Sequence, residues 1–180
     1  RRCRQPSLSV AVGLGGELLG TWSVGRARPF AEKGQAPGPQ TRYRVASITK
    51  PQVAIAVMSL VEDGRVQLGD AIGQHVPDAP RPEASIAQLL SHTSGLVAEP
   101  CGPWWERAGA GEWQELVEST PGDVADPGLV HHYSNLGYAV LGRLLEVVYE
   151  RPWNEVLEEV VWQPLGMQQT AISPGPVSYT

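Results

Sequence analysis

Arg44-Val45-Ala46-Ser47-Ile48-Thr49-Lys50-Pro51 is the stretch that decides the fold, because it sets a hydroxyl and an amine three residues apart where the chain can enter a helix. Positions i and i+3 are neighbours on a helix surface, so a helix that starts near Ser47 carries Lys50 one turn in on the same side. Pro51 suits such a start. The first four N–H groups of a helix have no intrahelical partner, so a proline in the first turn forfeits no hydrogen bond. From Val53 to Val61 nearly every position is apolar, which predicts a helix buried almost all round, and Gly64 is a natural stop.

A serine hydroxyl is a weak nucleophile until a nearby base takes its proton. Burial of Lys50 beside an apolar helix favours the neutral amine that can act in this way, and the helix N-terminus leaves backbone N–H groups near Ser47 for a developing oxyanion. Ser-x-x-Lys by itself is a common string, so the rest of the chain has to supply the weight. Tyr133-Ser134-Asn135 adds a phenol and an amide. Taken singly, Tyr133 reads equally as a buried aromatic and Asn135 as a helix cap; taken with Ser47 and Lys50 they complete the parts of an acyl-transfer site.

Four segments carry a resemblance. Arg44 to Pro51, Leu89-Leu90-Ser91-His92-Thr93-Ser94-Gly95-Leu96, Tyr133-Ser134-Asn135-Leu136-Gly137-Tyr138 and Pro164-Leu165-Gly166-Met167, in that order, resemble the β-lactamase-related serine hydrolases. That group includes class C β-lactamases, D-alanyl-D-alanine carboxypeptidases and β-lactamase-like esterases. The resemblance covers residues 8 to 170. It implies that Ser47 is the acylated nucleophile, Lys50 its proton partner, Tyr133 the general base and acid, and Asn135 a donor to the substrate amide and to Lys50. A phenol with a pKa near ~10 needs adjacent cations to act as a base near neutrality, and Lys50 is one candidate. Which group takes the first proton stays open. His92, in the His-Thr-Ser-Gly-Leu turn, is expected to be a hydrogen-bonding scaffold behind the site.

The family pattern ends with a Lys-Thr-Gly or His-x-Gly segment on a downstream strand, which supplies an oxyanion N–H and a wall of the cleft. This sequence has no Lys-Thr-Gly and no lysine after Lys50. Loss of one oxyanion donor typically costs ~10²–10³ in turnover. The expectation is therefore the front part of a hydrolase domain, with 1–45 a first hairpin and loop, 46–172 a helical subdomain bearing both motifs, and 173–180 a link to strands not encoded here. Such a fragment is expected to expose an apolar sheet face and an unpaired edge.

Composition narrows the function further. At 180 residues, 42% hydrophobic and 18% charged, the chain is of single-domain size and can build a core. A net charge of -5 argues against nucleic acid or an anionic membrane as partner. No apolar run approaches the ~18–20 residues of a membrane helix, and the basic start, Arg1, Arg2 and Arg4, is not followed by a convincing signal peptide. Cys3 and Cys101 are isolated and identify no compartment. His75, His92, His131 and His132 stand without carboxylates or thiols at ligand spacing, so neither a metal nor another cofactor is expected. The expected partner is a small acyl substrate; nothing in the sequence sets the oligomeric state.

Punctuation orders the remainder. Leu8–Val12 and Glu17–Val24 around Gly13-Leu14-Gly15-Gly16 predict a β-hairpin. Ser85-Ile86-Ala87-Gln88 is a capping-box pattern that opens a short helix ending by Gly95. Residues 97–112, rich in glycine and proline, hold Trp104 and Trp105, which read either as the lining of an acyl pocket or as ordinary packing. Residues 113–119 predict a helix, as do Asn135 to Tyr149, stopped by Pro152, and the stripe Trp153, Val156, Leu157, Val160 and Val161. The fold class is α/β: a helical subdomain carrying Ser47, Lys50, Tyr133 and Asn135 beside an antiparallel sheet of the β-lactamase/transpeptidase type, whose C-terminal strands are missing from this chain. The function expected is ester or amide hydrolysis through a Ser47 acyl-enzyme, and the alternative is an inactive or truncated family member that serves as a binding or scaffold protein.

Overall fold

The computed structural model describes residues 7–27, 36–38, 41–101 and 112–172. These fall into two units, one within Arg1–Arg44 and Gln169–Thr180 and the other Val45–Gln168.

The first unit is a hairpin of β1 (Ser7–Leu14) and β2 (Glu17–Gly25), paired antiparallel. Gly15 and Gly16 form its two-residue turn, both at positive φ (59° and 85°), the conformation that matches the twist of the flanking strands and that glycine adopts without penalty. Val12 pairs with Gly20 and Gly13 with Leu18, leaving Leu19 unopposed as a bulge. One face stacks Leu8 on Val24 and Val10 on Trp22, and all four side chains are exposed. The other face is polar in part, with Ser9 Oγ 2.8 Å from Ser23 Oγ and 3.0 Å from Tyr43 Oη.

The second unit is helical. A 3₁₀ turn at Ala46–Ile48 leads into α1 (Thr49–Glu62), with Pro51 in its first turn. The helix ends in a Schellman motif: Gly64 at φ 68°, Gly64 N–H donating to Val61 O at 3.1 Å and Arg65 N–H to Leu60 O at 2.9 Å. Then come α2 (Ile86–Leu90), α3 (Trp113–Glu118), α4 (Asn135–Tyr149) and α5 (Trp153–Leu157). The predicted capping box opens α2: Ser85 Oγ accepts from Gln88 N–H at 3.2 Å and Gln88 Oε1 from Ser85 N–H at 2.9 Å. α2 stops at Leu90, short of Gly95, because His92 turns left-handed at φ 58°.

The core is built around α4, which packs on α1, α2 and α5. Leu136, Val140, Leu141, Leu144 and Leu145 meet Val53, Ala56, Val57 and Leu60 of α1, Ile86 and Leu89 of α2, and Val156 and Leu157 of α5. Each such fully buried aliphatic side chain is worth ~1.5–3 kcal/mol.

Two predictions need correction. α1 is not buried all round: Ile55 is 49% and Met58 44% exposed, and with Ala54, Ser59, Val61, Glu62 and Val160 they line an open groove of about 630 Å³. Within the helical unit only the Val53–Val57–Leu60 face is covered. The last helix is not one regular α-helix either. After Leu157 it widens into a π-helical stretch, Glu158–Trp162, which turns Trp162 inward so that its Nε1–H donates to Gln52 Oε1 at 2.6 Å. No helix among the described residues is long and apolar enough to cross a membrane.

Candidate active site

Ser47 is exposed on the 3₁₀ turn immediately before α1, and Lys50, half-buried, stands in the first helical turn. Ala46, just before the nucleophile candidate, has φ 45°. That left-handed conformation costs a residue with a Cβ ~1–2 kcal/mol. The predicted same-side placement holds: Lys50 Nζ donates to Ser47 Oγ at 3.3 Å.

The other half of the site comes from the loop before α4. Tyr133 Oη lies 2.6 Å from Ser47 Oγ, and Lys50 Nζ donates to Asn135 Oδ1, so Asn135 accepts from Lys50 rather than donating to it as the resemblance implied, the amide turning its donor end to Glu99. Lys50 Nζ also stands 4.8 Å from the centroid of the Tyr133 ring and 5.6 Å from that of Tyr138. Ser47, Lys50, Tyr133 and Asn135 therefore form one connected cluster, although 86 residues separate Ser47 from Tyr133.

Electrostatics separate the two phenols. Burial pushes the Tyr133 pKa up, but the Lys50 ammonium and the Ser47 hydroxyl beside it pull harder, and the net value lies below the ordinary 10.0. Tyr138 is shifted the other way by burial and by Tyr133, and its hydroxyl donates to Leu90 O at 3.0 Å. Tyr133 is thus the phenol suited to proton transfer and Tyr138 the structural one.

His92 aims Tyr133. Its carbonyl accepts from His132 N–H at 2.8 Å and its Nδ1 accepts from Ser134 N–H at 3.1 Å, so it holds the residues on either side of Tyr133. The imidazole lies against the Tyr133 ring, with centroids 4.5 Å apart. An accepting Nδ1 requires the neutral ring, and burial, then the charges of Lys50 and His131, lower the His92 pKa below 6.5. The scaffold role expected of His92 agrees with this geometry.

Two residues that the sequence reading passed over complete the assembly. Ser134, 2% or less exposed, caps α4 by accepting from Gly137 N–H at 2.9 Å and donates to Val97 O at 2.6 Å. It is this serine, not Asn135, that fills the cap position, which frees the Asn135 amide for Lys50. Glu99 accepts a hydrogen bond from Asn135 Nδ2. The Ser-Asn pair at a helix start, with Ser in the cap position, was a signal available in the sequence for Ser134; Glu99 has none. Trp104 and Trp105 lie outside the described residues. Among the described residues no group of three His, Cys, Asp or Glu side chains is disposed to hold a metal.

A hydroxyl flanked by an amine and a phenol of lowered pKa, with an amide alongside, has the groups needed to accept an acyl group and to move a proton to and from it. A Beta-lactamase family model matches residues 1–177. An Escherichia coli (strain K12) protein named "Putative D-alanyl-D-alanine carboxypeptidase" is 31% identical over 150 residues, which cover 74% of this chain and 34% of that protein. The crystal structure of D-amino acid amidase from Ochrobactrum anthropi SV3 complexed with L-phenylalanine amide superposes with a TM-score of 0.77 at 30% identity, covering 90% of this chain and 46% of the amidase. The octameric penicillin-binding protein homologue from Pyrococcus abyssi gives 0.72 at 26% identity, covering 91% and 40%. The chain thus spans about a third of that curated relative and less than half of either solved structure. With this family match and a β-lactamase/transpeptidase-like fold, the chain belongs to the β-lactamase-related serine hydrolases.

Proposed function

We propose that this chain carries the acylation centre of a hydrolase for D-amino acid amides or peptides ending in D-alanine. The observation that supports it best is the convergence of Lys50 Nζ at 3.3 Å and Tyr133 Oη at 2.6 Å on the exposed Ser47 Oγ. The substrate class is taken from the relatives, whose names specify D-alanyl-D-alanine and D-amino acid amides. In this reading Ser47 Oγ attacks the carbonyl carbon and its proton passes to the Lys50–Tyr133 pair. Tyr133 then delivers the proton to the departing amine, leaving an ester on Ser47, and reverses its role when water cleaves that ester. Asn135 donates to the substrate amide through the second of its two Nδ2 hydrogens, the first remaining on Glu99.

The test is intact mass and peptide mapping of the full-length protein after exposure to a fluorophosphonate and to a β-lactam, with turnover of D-phenylalanine amide, a D-Ala-D-Ala peptide and a short aryl ester measured alongside. The expected result is one adduct, on Ser47, absent from Ser47→Ala, with the D-amide or D-peptide turned over fastest. An adduct on another serine that survives Ser47→Ala overturns the assignment.

A further inference from the structure

Glu99 sits in a segment without periodicity, yet its backbone is fastened to the start of α4. Val97 O accepts from Ser134 Oγ at 2.6 Å, and Ala98 O accepts from Asn135 N–H at 2.9 Å and Leu136 N–H at 3.4 Å. These bonds hold the Glu99 side chain against the Asn135 amide, its hydrogen-bond partner among the described residues. A line of hydrogen bonds results: Asn135 Nδ2 to Glu99, Lys50 Nζ to Asn135 Oδ1, and Lys50 Nζ to Ser47 Oγ.

The chemistry of the end group gives that line one direction. A carboxylate only accepts, and a side-chain amide has one donating and one accepting end, so a carboxylate on Nδ2 obliges Oδ1 to face Lys50. An ammonium at Lys50 would select the same orientation unaided. A neutral amine would not, because its lone pair can accept from Nδ2. An amide free to turn would then occupy the lone pair that the Ser47 proton needs.

We propose that Glu99 is a positioning residue: by holding the donor end of the Asn135 amide it keeps Asn135 from donating to Lys50, so the amine lone pair stays available to Ser47. This rests on the reading of Ser47 as nucleophile and Lys50 as its proton partner. As the bond from Oγ to the carbonyl carbon forms, the proton moves from Oγ to Nζ, and the new ammonium donates to an Oδ1 already in place. No side chain has to turn over during the step.

Glu99→Gln and Glu99→Leu in the full-length protein test this. Glutamine still accepts from Nδ2 through Oε1; leucine accepts nothing. Two readouts are compared in variants whose thermal unfolding shows them folded: the second-order rate of Ser47 labelling by a fluorophosphonate, and the NOEs from the Asn135 side-chain amide protons to the Lys50 side chain at one pH. Labelling of Glu99→Gln is expected within about 3-fold of the parent and that of Glu99→Leu roughly 10–100-fold slower, the scale of a lost charge-assisted hydrogen bond. NOEs from the Asn135 Nδ2 protons to the Lys50 Hε protons should be weak in the parent and in Glu99→Gln, where Oδ1 faces Lys50, and strong in Glu99→Leu, where the amide can turn. Labelling of Glu99→Leu at the parental rate, or Asn135–Lys50 NOEs in that variant as weak as in the parent, overturns the proposal. A parent protein that takes no label on Ser47 defeats the nucleophile reading instead, and the Asn135–Lys50 NOEs still decide the role of Glu99.

Discussion

Ser47 and Lys50 meet because of a spacing, whereas Tyr133, Asn135 and Glu99 meet because part-buried hydrogen bonds tie three distant segments together. The first pair is written into one turn and the head of α1, so any sequence that forms that helix brings them together. The second group depends on His92 holding the Tyr133 loop, on Ser134 capping α4 while gripping Val97, and on Ala98 accepting from Asn135. Distant change should therefore disturb the Tyr133–Asn135–Glu99 group more than the Ser47–Lys50 pair.

The sharpest break between the two halves comes from Tyr133→Phe. It removes the hydroxyl from the assembled half and leaves the Lys50–Ser47 contact untouched. Turnover by the full-length protein should fall ~10²–10⁴-fold, the usual contribution of a general acid–base group, with the melting temperature nearly unchanged. The rate that remains should also lose the basic-side dependence due to a phenol whose pKa is lowered by Lys50 and Ser47. Near-normal turnover would transfer the proton-transfer role to Lys50 alone.

A matched pair of milder substitutions sharpens the contrast. Ser134→Ala removes the cap and orphans Val97 O, and Gly64→Ala forces a Cβ into the left-handed Schellman position. Each should cost about 1–2 kcal/mol by denaturant titration. Only Ser134→Ala should also slow Ser47 labelling, because only it loosens the segment that carries Tyr133 and Asn135. Equal labelling rates in the two would show that the second half is held by something other than that serine.

The smallest effect is a pH dependence. His92 has its pKa lowered by burial, then by Lys50 and His131. A group depressed in the folded state contributes stability that is complete above the unfolded value of about 6.5 and is lost as pH falls through the folded value. The melting temperature should therefore drop more steeply below pH 6.5 in the parent than in His92→Asn, which keeps a residue tolerant of φ 58° but cannot be protonated. Parallel pH profiles would remove His92 from the account.

Sequence and structure agree where the information is local. The hairpin turn at Gly15-Gly16, the capping box at Ser85, the stop at Gly64 and the span of α4 all follow from residues within a few positions of one another. Ser47, Lys50, Tyr133 and Asn135 were legible because their motifs are short and the resemblance covers them. Glu99 was not, since its contact with Asn135 exists only after Val97 and Ala98 have found α4, a pairing that leaves no local pattern. The exposed side of α1 was misjudged for a related reason: a run of apolar residues marks which faces can be buried, while the neighbours present decide which face is. The widened turn at Glu158–Trp162 escaped too, because the stripe of Trp153, Val156 and Val160 is regular and the departure answers to Trp162 reaching Gln52.

Ala46 carries a consequence of a different sort. Its positive φ is tolerable but unfavourable for alanine, and it immediately precedes the nucleophile candidate. Glycine there would ease the backbone and, by the same freedom, let the serine hydroxyl wander from the amine and the phenol. Improvement of the chain for heat resistance and improvement of it for turnover would therefore choose opposite residues at this one position, so that durability and speed compete inside a single peptide unit.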